Sequence, residues 1–175
     1  MGEPASTARP APRREGPAPA GLSVGAALYT GQGSVAAGHG YRDAIELAVA
    51  AEASGFDVFW VSEHHGWDDG YLPSPLVVLA AVAARTERIE LGVGVAVAPL
   101  HHPARLAEDV AVLDQLARGR VIMGLGIGYV DAEYELFGID RRARAELLEA
   151  VVAALREGAP DRRPSPRTNA DALRV

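Results

Sequence analysis

The stretch Asp57-Val-Phe-Trp-Val-Ser-Glu-His-His65 joins an apolar, β-prone run to a carboxylate and two imidazoles. Strands of a parallel sheet are buried on both faces and have this apolar composition, so the run predicts a buried strand. In an α/β barrel the C-terminal ends of the strands carry the catalytic side chains. Glu63, His64 and His65 follow the run directly, and we therefore expect a functional site at this strand end.

A short strand pattern followed by a longer helix pattern recurs on both sides of this stretch. Each repeat takes about 30 residues, which is the length of a βαβ unit. Gly55 supplies the stop after the first helix pattern, and Pro103 lies in the first turn of the third. The repeats predict an α/β fold with parallel strands. The strand patterns cover residues 22–28, 57–61, 89–97 and 121–125, and the helix patterns cover residues 41–54, 74–85, 103–116 and 141–157.

Two architectures contain consecutive βα units of this kind, a doubly wound open sheet and part of a (βα)8 barrel. The segment Gly124-Leu-Gly-Ile-Gly-Tyr129 follows the fourth strand pattern. A dinucleotide fingerprint needs a third glycine where this chain has Tyr129, and the next helix pattern begins too late for it. We therefore expect four βα units that form half of a TIM-like (βα)8 barrel. Gly126 and Gly128 either let a flat or phosphorylated ligand approach the backbone or only permit tight packing.

The composition argues against several classes of function. The net charge is -6 and the chain has no basic stripe, which argues against a nucleic-acid partner. It has no cysteine, and no apolar run approaches the ~20 residues of a membrane helix. These features predict a cytoplasmic enzyme without a membrane partner. We expect a domain at residues 22–158, between a disordered leader at residues 1–21 and a disordered tail at residues 159–175.

Four motifs, in order along the chain, resemble the luciferase-like monooxygenases. The resemblance covers roughly residues 22–158 and stops halfway through that family's barrel. The motifs are Glu63-His64-His65 at the end of the second strand, Arg85-Thr86-Glu87-Arg88-Ile89 before the third strand, His102-Pro103 with Leu106-Ala107-Glu108-Asp109 at the third helix, and Met123-Gly124-Leu125-Gly126-Ile127-Gly128-Tyr129 followed by Glu133, Phe137 and Gly138.

The resemblance implies a flavin- or deazaflavin-dependent oxidoreductase or monooxygenase that acts on a small organic substrate. It implies FMN or the deazaflavin coenzyme F-420 as the cofactor, and it gives His64 the place of the family's catalytic histidine. The Gly94-Val95 bond falls where the family often has a non-prolyl cis peptide under the flavin ring. The residues that the resemblance places at the cofactor are Glu63, His65, Gly94, Val95, Gly126 and Gly128.

The histidines also have a chemical interpretation that does not depend on the family. Imidazole is the side chain whose pKa suits proton transfer near neutral pH. Neighbouring residues at a strand end point to opposite faces, so only one of His64 and His65 should face a ligand. His101 and His102 stand before the third helix, where they either contact an anion or only cap and pack the loop. Neither doublet has the intervening residue of a His-x-His metal site, and we expect no metal.

Half of a barrel leaves its mouth and its interior open. Trp67 and Tyr71 either line a substrate pocket at the mouth or simply cover it. Open strand edges and an apolar inner face favour association with another chain, so we expect a homodimer or other self-association. The alternative function is a non-catalytic half-barrel that acts as a flavin-binding or interaction module. The predicted inner face consists of Val58, Val61, Val93, Val95 and Met123.

Overall fold

The computed structural model describes residues 23–29 and 40–157. The predicted leader at residues 1–21 and the predicted tail at residues 159–175 lie outside these ranges. The elements in chain order are β1 (Gly25–Leu28), α1 (Gly40–Ala53), β2 (Val58–Val61), α2 (Pro75–Ala83), β3 (Glu90–Val97), α3 (Pro103–Leu116), β4 (Val121–Gly126), α4 (Asp131–Phe137) and α5 (Arg144–Glu157), with short 3-10 turns at Ala98–Leu100 and Arg141–Ala143.

The four strands form one parallel sheet in the order β1-β2-β3-β4. Because all three pairings are parallel, the carboxyl ends of the four strands meet at one edge of the sheet, which we call the C-terminal edge. This confirms the predicted parallel βα repeats. The observed bounds differ from the predicted ones by a few residues, and α4 is a short additional helix between β4 and α5.

The helices α1, α2 and α3 cover one face of the sheet, and α5 packs against α3 and joins the same core. Alternate strand residues, including Phe59 and Leu91, are fully buried in one core with helix residues such as Leu79 and Val110. Burying an aliphatic or aromatic side chain of this size contributes roughly 1.5–3 kcal/mol, so this face holds most of the fold's apolar stabilisation. Within the described residues, no helix has the length and apolar character to cross a membrane.

The opposite, uncovered face of the sheet is lined mainly by glycine and one indole. Trp60 lies across Gly25, Gly92 and Gly94, each of which has a hydrogen where a Cβ would come within 3.1 Å of the indole. The prediction of the inner face is wrong for three residues, Val61, Val93 and Met123. Because successive strand residues point to opposite faces, these three point toward the helices and are buried in the core.

The edge of the sheet opposite the C-terminal edge is fastened by Glu52 and Arg120. The Glu52 carboxylate accepts the backbone N–H groups of Glu87, Arg88 and Ile89 at 2.7 to 3.2 Å. Burial alone would raise the pKa of Glu52, but these hydrogen bonds hold it below its ordinary value. The Arg120 guanidinium donates to the carbonyl oxygen of Ile89. In a barrel this end supports stability and leaves the C-terminal edge for function.

Candidate functional site

A buried carboxylate ties the ends of β2 and β3 together. One Glu63 oxygen, Oε1, accepts hydrogen bonds from Nε2 of His65 at 2.8 Å and Nε2 of His101 at 2.7 Å. Its other oxygen accepts the backbone N–H of Val97 at 2.7 Å. A carboxylate can only accept, so both histidines carry a hydrogen on Nε2. The Glu63 side chain is 0% exposed, and its oxygens serve these contacts.

The charge state of Glu63 follows from these partners. Burial alone would raise the pKa of Glu63, because the charged form loses its hydration. The hydrogen bonds from His101 and His65, the charge of His101 and the N–H of Val97 outweigh that cost and lower the pKa to about 2. Glu63 is therefore ionised near neutral pH and binds the strand ends as an anion.

A second carboxylate holds His64 from the other side of the site. Oε1 of Glu133, on α4, lies 2.8 Å from Nδ1 of His64. The same oxygen accepts the backbone N–H of His65 at 2.9 Å. The Glu133 side chain is 1% exposed, whereas that of His64 is 16% exposed. The pair connects the end of β2 with the helix that follows β4, and one edge of the imidazole keeps contact with solvent.

Aromatic side chains surround the free edge of His64. Its ring centroid lies 4.7 Å from that of Tyr71, 5.6 Å from that of Trp67 and 5.7 Å from that of Tyr129. The Tyr129 hydroxyl lies 3.4 Å from Nε2 of His64. Tyr71 is fixed by a 2.6 Å hydrogen bond between its hydroxyl and Ser62. Because Trp67 is 49% exposed and Tyr129 is 71% exposed, both aromatic rings have surface available for a ligand.

The end of β3 contributes backbone rather than polar side chains. The Gly94-Val95 bond is cis, as the resemblance implies, and Val95 is 44% exposed on the uncovered face. A Cβ on Gly126 would lie 2.6 Å from Cγ2 of Val95, so close packing between β3 and β4 requires that glycine. Gly128 has a φ of +75°, which a residue with a side chain rarely adopts. Packing at Gly126 and backbone conformation at Gly128 thus each require glycine, and contact of these two residues with a cofactor stays a prediction.

The structure gives two of the predicted cofactor residues a different position. Glu63 is fully buried with both oxygens engaged, and the His65 ring packs against Phe137 with centroids 4.7 Å apart. Their side chains are 0% and 10% exposed and offer a ligand little surface, and cofactor contact by these two residues stays a prediction. The same geometry shows that His64 and His65 point in different directions, as predicted for neighbouring residues.

Glu133 and Tyr129 belong to the fourth motif but have no predicted role at the site. His101, predicted either to contact an anion or to cap and pack the loop, lies within hydrogen-bond distance of the Glu63 carboxylate. Glu133 lies 69 residues from His64, and His101 lies 38 residues from Glu63. Only the fold brings such residues together. Among the described residues, no group of three or more histidine or acidic side chains has an arrangement that could hold a metal ion. His102 precedes α3 without a side-chain cap hydrogen bond.

Comparisons with known proteins match this architecture. A family model for luciferase-like monooxygenases matches residues 23–168. Limonene 1,2-monooxygenase of Rhodococcus erythropolis is 39% identical over 111 residues, which are 61% of this chain and 29% of the relative. The chain spans 28% to 36% of the length of the curated relatives that it matches.

Solved structures show the same fold. The oxygenating constituent of 3,6-diketocamphane monooxygenase from Pseudomonas putida, in complex with FMN, has a TM-score of 0.71 at 24% identity over 78% of this chain and 39% of its own. An F-420-dependent secondary alcohol dehydrogenase, in complex with an F-420-acetone adduct, has a TM-score of 0.60 at 25% identity over 77% of this chain and 41% of its own. The fold is thus part of a TIM-like barrel, and the chain belongs to the luciferase-like monooxygenase family.

Proposed function

We propose that the chain is a flavin- or deazaflavin-dependent oxidoreductase that acts on a small organic substrate, with His64 as the proton acceptor. The observation that carries this proposal is the setting of His64. Its Nδ1 is held by the buried Glu133, and its Nε2 faces an open, aromatic site at the C-terminal edge. An oriented imidazole with one accessible nitrogen can move a proton near neutral pH.

The shape of the site suits a flat cofactor ring. Gly94 has no side chain and Val95 is exposed, so the end of β3 gives a ring a smooth apolar surface. When bound, reduced FMN would supply electrons to the reaction, whereas oxidised F-420 would accept a hydride from an alcohol substrate. Trp67, Tyr71 and Tyr129 would exclude water from the substrate and pack against its apolar parts, while His64 takes up a proton at Nε2. The proposal covers both cofactors, since one structural neighbour binds FMN and another binds F-420.

We propose further that the chain functions as a homodimer or higher self-assembly. The uncovered face exposes Val95, and Ile127 is 39% exposed just beyond the end of β4. Within the described residues, β1 and β4 each pair with only one strand, so each leaves an edge open to another chain. Two sheets of four strands would supply the eight strands of a closed barrel. Burying the open face is worth roughly 25 cal/mol per Å² of apolar area.

Replacement of His64 by alanine tests the proposed role. We expect His64→Ala to abolish turnover but leave flavin affinity nearly unchanged, because the imidazole is assigned to proton transfer. Limonene or an alkanal, with reduced FMN and oxygen, and a secondary alcohol, with F-420, are suitable first substrates, because two relatives and one structural neighbour are named for them. His102→Ala is the matched control, since His102 is exposed and lies outside the site.

Equal turnover in the His64→Ala variant and the native chain would exclude the proposed role. Flavin binding without turnover on any of these substrates would instead favour the non-catalytic half-barrel.

A further inference from the structure

We propose that Glu133 is a positioning residue that fixes the neutral His64 ring in the tautomer with its hydrogen on Nδ1. The inference rests on the proposed function, in which His64 is the proton acceptor. Beyond that function, Glu133 determines which nitrogen of the His64 ring accepts the proton.

Glu133 Oε1 and His64 Nδ1 lie 2.8 Å apart, which is the distance of a hydrogen bond. Oε1 already acts as an acceptor, because it accepts the backbone N–H of His65, so the ring nitrogen is the donor in this contact. A neutral imidazole carries one hydrogen, and a hydrogen on Nδ1 leaves Nε2 with a free lone pair. The contact therefore makes Nε2 the accepting atom, and Nε2 is the nitrogen that lies toward Tyr129 and the aromatic side of the site.

The Glu133 carboxylate is held in place by the backbone and by its helix. Oε1 of Glu133 also accepts the backbone N–H of His65 at 2.9 Å, so a main-chain group fixes the oxygen that orients the ring. Tyr134, the next residue on α4, donates its hydroxyl to the carbonyl oxygen of Ile127 and fastens that helix to the end of β4. An oxygen held this way orients the imidazole without losing side-chain freedom when a substrate binds.

The Glu133 side chain is almost completely buried. Its second oxygen, Oε2, is buried and has no hydrogen-bond partner among the described residues. A buried carboxylate with an unused oxygen is costly unless a positive charge or a donor arrives nearby. A proton taken up at Nε2 converts His64 to a cation beside this anion. Oε1 of Glu133 remains the acceptor for the Nδ1–H group in that charged form of the ring.

Imidazole ¹⁵N chemical shifts measure the tautomer directly, with no cofactor or substrate. The long-range ¹H–¹⁵N spectrum of the whole chain is recorded at a pH where His64 is neutral, and its signals are assigned by their loss in the His64→Gln variant. We expect the native His64 to show a protonated Nδ1 and a bare Nε2. Free histidine prefers the other tautomer, so we expect Glu133→Leu to move His64 toward a hydrogen on Nε2.

Two further variants complete the experiment. Glu135→Leu, on the exposed side of α4, is the matched control and should leave the His64 signals unchanged. Glu133→Gln keeps an acceptor oxygen without the charge, so it should keep the Nδ1–H tautomer and move that proton's resonance upfield. This variant decides the question if Glu133→Leu fails to fold.

A native His64 that carries its hydrogen on Nε2 would overturn the inference, as would an unchanged Nδ1–H resonance in Glu133→Gln. If the tautomer is found as expected but the chain binds no flavin, the proposed function fails and the positioning role of Glu133 stands.

Discussion

Trp60 lies so close to Gly92 that a Cβ at residue 92 would come within 2.2 Å of the indole Cε3 atom. The two residues are directly paired across β2 and β3. The indole thus fills the uncovered side of the sheet where larger side chains would otherwise be needed. This packing requires glycine at position 92. The indole is anchored on strand β2, so it cannot move away without a large cost in packing energy.

We expect Gly92→Ala to destabilise the chain by about 1–3 kcal/mol, the usual cost of overpacking. Chemical denaturation monitored by circular dichroism measures this loss. Gly92→Ala should cost less stability in a Trp60→Leu background than in the native chain, because leucine vacates the space that the new methyl group needs. Strict additivity of the two substitutions would contradict the assigned contact.

Glu63 should make stability depend on pH in a defined acidic range. Its pKa falls from an ordinary value of 4.5 to about 2 in the fold. A lowered pKa stabilises the fold above pH 4.5, and this contribution is lost as the pH falls toward 2. The shift corresponds to roughly 3 kcal/mol at neutral pH. Denaturation of the native chain and Glu63→Gln should differ most above pH 5 and converge only near pH 2 and below.

Glu46→Gln is the control for this pH dependence, because Glu46 is exposed and pairs with Arg85 at the surface. It should follow the native curve throughout. A Glu63→Gln variant that parallels the native chain between pH 5 and pH 2 would show that Glu63 does not carry the effect.

Glu52 should be more important for stability than its position near the surface suggests. It accepts three consecutive backbone N–H groups in the loop before β3. Removing such an acceptor leaves donors unsatisfied, so we expect Glu52→Ala to cost roughly 1–3 kcal/mol. Glu46→Ala on the same helix should cost well under 1 kcal/mol, as exposed ion pairs do. Equal thermal melting of the two variants would refute the assigned role.

The sequence predicted the repeat well because its signals are local. Pro103 and Gly55 mark helix ends in the chain itself, and the strand runs are short and apolar, so the parallel order followed from connection length alone. The face of each strand residue was harder to predict. Residues 58–61 are all apolar, so they have no alternation from which to assign Val61 to the core or Trp60 to the uncovered side.

The site was predicted only in its local part. The position of His64 after a strand identified it as a candidate, whereas its partner Glu133 lies on a different βα unit. The same is true of Glu63 and His101, whose contact depends on the alignment of two neighbouring strand ends. Single-sequence patterns contain no information on such pairs. The resemblance places Glu63 at the cofactor, and only the structure shows that its carboxylate links the ends of β2 and β3.

Flavin binding by an assembled half-barrel can be tested directly in solution. FMN and F-420 are titrated into the purified chain, with binding followed by the cofactor's absorbance and fluorescence, and the same samples are run on size-exclusion chromatography with light scattering. We expect saturable binding of one of the two cofactors and a mass of two chains or more. A folded chain that melts cooperatively, stays monomeric at high concentration and binds neither cofactor would contradict the account.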